Sequence, residues 1–300
     1  MTRVVGIPSS RVANFFSFQR DPLQFLVDAL PVGEMVSLRT SSLRPTFIVN
    51  SPAFIQEILV HQEERFRKGR SSNVLRRTIG DGLLTSEHAS HKHQKKYLMP
   101  VFYKERIQSY AGVVVEETER LADTLKEGEA VPMHEVMMRL TLGIIARSMF
   151  NTELNETKTE LAVAVDDTIR LSAKTIFSPL ILPLAVPTPG NRRHVKAIRS
   201  LEDMIYDTIA AARRNPAFYA DSLLGLLLDT KDEHGHPIGD EEIRDQMMTM
   251  LLAGHETTAN AMVWAFYALD QMGSADERLY QEVRELPLNA LEISGGAISL

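Results

Sequence analysis

Residues 241–269 read EEIRDQMMTMLLAGHETTANAMVWAFYAL, and the organisation of the whole chain turns on how this stretch folds. Asp240 stands where a helix N-cap belongs, and apolar residues at helical spacing follow on several faces, so one long helix is predicted from about Glu241 to Leu269. A helix apolar nearly all round is expected to run through the middle of a protein. Yet LLAGHETTAN at 251–260 sets Gly254, Glu256, Thr257 and Thr258 inside that apolar surface. Glycine in a helix interior costs about 1 kcal/mol relative to alanine. Buried carboxyl and hydroxyl groups cost more unless they find partners. The cluster therefore predicts a local opening in the helix that lines a cavity. The competing reading is that both threonines bond back to carbonyls one turn earlier while Glu256 pairs with a cation from another helix. A zinc-protease reading of His255-Glu256 needs a second histidine at 259, where Ala259 stands.

Outward from this helix the pattern stays helical. Ahead of it, the loop Asp232 to Gly239 (DEHGHPIG) carries strong turn signals. Beyond it, ADERLYQEVR after Ser274 gives one short helix that stops by Pro287, and 288–300 shows no sustained period. Helical spacing recurs over Lys104 to Glu127, Pro132 to Phe150, Glu156 to Thr175, His194 to Arg214 and Ser222 to Thr230. Ala89 to Phe102 reads as an amphipathic helix ending near Pro100, and Gly69 to Asp81 as a loop. Ser51 and Pro52 open a helix as N-cap and first residue, with Phe54, Ile55, Ile58 and Leu59 on one face. Only Glu34 to Asn50 has strand character, EMVSLRT and PTFIVN flanking the turn-prone SSLRP, which predicts a hairpin. The fold class is mainly α with a small β hairpin near the N-terminus.

Composition narrows the function. With 300 residues and 44% hydrophobic content the chain can bury a large core. A net charge of -6 with dispersed Lys and Arg gives no basic stripe for a phosphate backbone, so no nucleic-acid partner is expected. The cysteine count is zero, which excludes disulfides and thiolate chemistry within these residues. MTRVVGIPSSRVANFF lacks a signal-peptide core, and no run approaches the roughly 20 apolar residues of a membrane span, so a soluble, cytoplasmic chain is expected. The apolar run 176–187, IFSPLILPLAVP, is broken by Pro179, Pro183 and Pro187 and reads as buried or lid-like packing. His88 and His91 lack a third ligand at diagnostic spacing, His234 and His236 lie in a turn, and no metal site is predicted.

Ala253-Gly254-His255-Glu256-Thr257-Thr258, continued by NAMVWAFYAL, resembles the central-helix signature of cytochrome P450 enzymes. The hairpin, the segment Glu64-Arg65-Phe66-Arg67 and the helix order also fall where that family has them, over roughly residues 20 to 287. The resemblance implies a partial cytochrome P450 domain over 1–287, an unmatched tail over 288–300, and haem as cofactor. It implies that Ala253 and Gly254 let the helix approach the haem, that Thr257 holds the reacting oxygen and its waters, and that Glu256 passes protons inward. Gly82-Leu83-Leu84-Thr85-Ser86, followed by HKHQKKYLMPVF, looks like the family's loop and helix over a haem edge. His91 and Lys95, one turn apart, would face the propionates. By the same resemblance the loop 69–83 and the run 176–189 border a pocket for a small apolar substrate, and electrons come from a redox partner.

The chain departs from the family after Tyr280 to Arg284. Glu282-Val283-Arg284-Glu285 has the wrong order for the family's Glu-x-x-Arg pair, and no cysteine is present to ligate iron. The expectation is a truncated or frame-shifted monooxygenase, inactive or a weak haem binder, with much apolar surface uncovered and a tendency to aggregate. The alternative expectation is a non-catalytic helical interaction protein derived from this fold.

Overall fold

Val36 is fully buried between two half-buried neighbours, the alternation that a one-sided sheet requires. The computed structural model describes residues 4–7, 9–38, 46–151, 158–177, 182–232 and 235–285. They fall into two compact units, Met1–Arg67 and Lys68–Leu300, a division inside the single domain expected over 1–287. In the first unit β2 (Met35–Ser37) pairs antiparallel with β3 (Phe47–Val49), Val36 opposite Ile48, and parallel with β1 (Val5–Gly6). Both strands of the expected hairpin are therefore present, while its turn SSLRP lies outside the described residues. β1 was not expected, because two residues are too short to show a period.

The same unit holds α1 (Arg11–Arg20), α2 (Pro22–Ala29) and α3 (Pro52–Gln56). Ser10 caps α1 by accepting the Ala13 N–H at 3.2 Å, and Asp21 caps α2 by accepting that of Gln24 at 2.9 Å. Ser51 stands at the predicted start of α3, but its side chain makes no capping bond, and the helix continues as one π turn over Glu57–His61. Asn50 ties this unit together, its amide donating to the carbonyls of Ala29 and Gly33.

The second unit is helical throughout: α4 (Arg70–Ile79), α5 (His88–Leu98), α6 (Lys104–Ala122), α7 (Met133–Phe150), α8 (Lys158–Phe177), α9 (Pro189–Arg214), α10 (Pro216–Tyr219), α11 (Leu223–Asp229), α12 (Asp240–Gln271) and α13 (Ala275–Arg284). The N-terminal half of α12 packs on α7, α9 and α11, and Ile243, Met247, Met248 and Leu251 bury completely against Leu201, Ile205 and Leu224. Burying each such side chain contributes about 1.5–3 kcal/mol.

Three expectations change. The loop expected over Gly69 to Asp81 is the helix α4, whose inward positions include Ser72 and Thr78. Those hydroxyls find partners, Thr78 Oγ1 lying 3.2 Å from Ser172 Oγ, so burial does not require an apolar period. α9 begins at Pro189 rather than His194, with Thr188 accepting the Asn191 N–H at 3.1 Å. Finally, α12 is central only in its first half: Trp264, Phe266 and Tyr267 are exposed. Among the described residues no helix is long and apolar enough to cross a membrane.

Candidate functional site

Polar residues in the first half of α12 bind the loop that precedes α5. Asp245 Oδ2 accepts the Asp81 N–H at 2.6 Å, and Gln246 Oε1 accepts that of Leu83 at 3.0 Å. The Gln246 amide then donates to the Tyr97 hydroxyl at 3.0 Å, which donates to Glu242 at 2.7 Å. Gln94 Nε2 closes the loop onto α5 by donating to Asp81 O at 2.7 Å. Gly80 and Gly82 make this approach possible: a Cβ would fall 2.0 Å from Asp245 Oδ1 at the first and 2.3 Å from Thr249 Oγ1 at the second. Burial pushes the Tyr97 phenol above its usual range, with Glu242 adding to the effect. It also holds the Asp245 carboxyl high, against the Asp81 N–H and Arg244. Sequence reasoning missed this network, although Asp245, Gln246 and Thr249 interrupt the apolar helix just as visibly as Glu256 and Thr257 do.

α5, so anchored, carries His91 half-buried and Lys95 exposed, four residues apart on one side of the helix. On α12 the turn from Ala253 to Thr258 divides by direction. Ala253 and Thr257, one turn apart, are exposed; Gly254 and Glu256 are half-buried; His255 is only 3% exposed. The helix runs unbroken through this turn, so the expected opening is absent, and Thr257 Oγ1 instead donates to Ala253 O at 2.7 Å. No cation pairs with Glu256 among the described residues. Gly254 faces α7, where an added Cβ would meet Ile145 Cδ1 at 2.6 Å. Its missing side chain thus serves helix packing, while the strip formed by Ala253 and Thr257 stays open. His255 turns towards α7 as well, its Nε2 lying 3.1 Å from Met138 O, and burial pushes the imidazole below its ordinary pKa. The sequence offered this histidine only the role of a zinc ligand, which Ala259 removes.

A model of the cytochrome P450 family matches residues 11–290. The chain belongs to the cytochrome P450 family. Among its relatives, cyclooctatin synthase of Streptomyces melanosporofaciens is 30% identical over 269 residues, covering 89% of this chain and 58% of the relative. Cyclooctat-9-en-7-ol 5-monooxygenase of the same organism is 28% identical over 271 residues, with the same coverage. Pentalenene oxygenase of Streptomyces avermitilis is 27% identical over 277 residues, covering 91% of this chain and 60% of the relative. This P450 chain therefore spans about 60% of the length of these curated relatives.

Haem is the cofactor of this family, and part of this chain fits it. A flat macrocycle needs an open helix face with short side chains, and Ala253 with Thr257 provides an exposed strip of that kind. His91 and Lys95 are donors of the sort that paired propionates take. The thiolate that ligates iron in the family has no counterpart among these 300 residues, which contain no cysteine.

Proposed function

We propose that this chain supplies the oxygen-facing side of a P450 monooxygenase that oxidises an apolar organic substrate with dioxygen and electrons from a separate redox partner. The observation that carries this reading is the exposed Ala253–Thr257 strip at a turn whose Gly254 and His255 sides face α7. Ala253 keeps the strip low enough for the cofactor ring, and His91 with Lys95 would hold its propionates. When bound, haem supplies the redox chemistry of the family. Thr257 and Glu256 handle protons: the hydroxyl, released from Ala253 O, can donate on the exposed side, and the neighbouring half-buried Glu256 carboxyl, after taking a proton from solvent, can resupply it. The names of the relatives specify cyclooctat-9-en-7-ol and pentalenene, which supports a substrate that is an alkene bearing at most one hydroxyl. A second reading, a non-catalytic helical interaction protein, is favoured by the exposed aromatics of α12, Trp264 at 68% above all.

Titration of the purified chain with haem, followed at the Soret band, separates the two. The catalytic-side reading expects saturable binding that Ala253→Trp abolishes and that His91→Ala with Lys95→Ala weakens about three- to tenfold. A thiolate-type spectrum after reduction and carbon monoxide is not expected, because no cysteine is present. A folded chain that binds no haem, or binds it equally well with Ala253→Trp, supports the interaction reading.

A further inference from the structure

α12 has a second face that the proposed oxygen chemistry does not use. His255 lies two residues before Thr257, roughly 200° round the helix at 100° per residue. On that side a cavity of about 500 Å³ opens between α6, α7, α8 and α12, walled by Leu121, Met138, Leu142, Ala162 and His255. Cavities of roughly 300–1,000 Å³ are the size that holds small organic ligands. Its ionic groups are of both signs, Arg120 and Arg139 against Glu117, Glu135 and Asp166, and Glu117 is already taken by Arg147 at 3.1 Å. A mixed lining of this kind creates no single-sign field, so it selects for an uncharged occupant.

The buried histidine supplies the polar requirement. A carbonyl oxygen can only accept, so at 3.1 Å from Met138 O the hydrogen resides on Nε2. Burial pushes the imidazole below its ordinary pKa and so favours the neutral form, in which Nδ1 is an acceptor. That nitrogen is buried and has no hydrogen-bond partner, and His255 is among the residues that line the cavity. An unsatisfied buried acceptor is costly, and a donor brought in by a ligand relieves the cost. We propose that this cavity is a second ligand site, for an uncharged and largely apolar molecule whose one hydroxyl or N–H donates to His255 Nδ1. The site lies across the helix from the Ala253–Thr257 strip and needs no haem.

The test uses the full chain without haem and two probes, 2-naphthol and 2-methoxynaphthalene, which share a ring system and differ in the donor. Binding is read from the methyl resonance of Met138 in chain labelled with [¹³C-methyl]methionine, assigned through Met138→Leu. The expected result is a saturable shift of that resonance by 2-naphthol, with the methoxy compound about tenfold weaker. His255→Phe should bring 2-naphthol down to the level of the methoxy compound, and Ala162→Phe should abolish binding by filling the cavity from its wall. Because the two probes are first compared on the native chain, the proposal stands or falls there even where a variant does not fold. Equal affinity for both probes, a Met138 resonance that never moves, or 2-naphthol binding unchanged by His255→Phe overturns the proposal.

Discussion

Glycines 254 and 82 both stand where a side chain would collide, yet they differ in what would be struck. At Gly254 the obstacle is Ile145 Cδ1, the far end of a side chain that can swing aside. Alanine there also regains about 1 kcal/mol of helix propensity. Gly254→Ala should therefore leave the urea midpoint nearly unchanged. At Gly82 an added Cβ would meet Thr249 Oγ1 at 2.3 Å and the Asp245 backbone carbonyl at 2.6 Å. The α12 backbone cannot yield, so Gly82→Ala should lift the 80–86 loop off Gln246 and cost about 1–3 kcal/mol. Finding Gly254→Ala the more damaging of the two would refute this account of the contact. These residues also mark how far the candidate site could be read in advance. Gly254, Glu256, Thr257 and Thr258 stood out because polar and small types break an apolar run, and Ala253 entered through the family resemblance. The contacts of Gly254 and His255 did not, because a helix apolar on every side carries no mark of which face meets α7.

Between elements, the least visible link is the buried chain from α4 through α8 to α9. Thr78 Oγ1 lies 3.2 Å from Ser172 Oγ, which lies 3.3 Å from His194 Nε2. Burial depresses the His194 imidazole, and Asp167 opposes it only in part. A histidine whose folded pKa lies below its unfolded value of about 6.5 is protonated first in the unfolded chain. Its contribution to stability is thus full above about pH 6.5 and declines as the pH falls below that. His255, depressed for the same reason, acts in the same direction. Asp245, raised by burial, has the opposite sign, stability being lost as pH rises from about 3.8 through its folded pKa. The informative quantity is consequently a difference. Between pH 7.5 and 5.5 the denaturation midpoint of the native chain should fall more steeply than that of His194→Gln, and parallel slopes would remove His194 from the explanation. The same link explains which elements were legible. α7 and α11 carry apolar residues at helical spacing and were expected close to where they form. α4 turns Ser72 and Thr78 inward, and its pattern is carried by hydrogen bonds that composition does not display.

Across the whole molecule, α12 shows the difference between apolar sequence and buried surface. Its first half meets α7, α9 and α11 and is fully covered at Met247, Met248 and Leu251. Its second half, just as apolar, leaves Trp264, Phe266 and Tyr267 exposed, and α13 adds Leu279 and Tyr280. Periodicity specified the helix but could not specify what lies against it, since burial belongs to neighbours. An exposed aromatic group of this size marks an interaction surface or an aggregation liability. Trp264 is the sole tryptophan and is 68% exposed, with its ring edge-on to Tyr267 at 5.7 Å, so it reports on this surface alone. In dilute solution its emission should be that of a water-exposed indole and should be fully open to iodide quenching. On concentrating the chain, the emission should move to the blue and quenching should fall, in step with a rise in sedimentation coefficient. Phe266→Glu, which places a charge in the same patch, should suppress both changes together. A blue, unquenchable Trp264 in a chain that sediments as a monomer would mean that this surface is already covered from within.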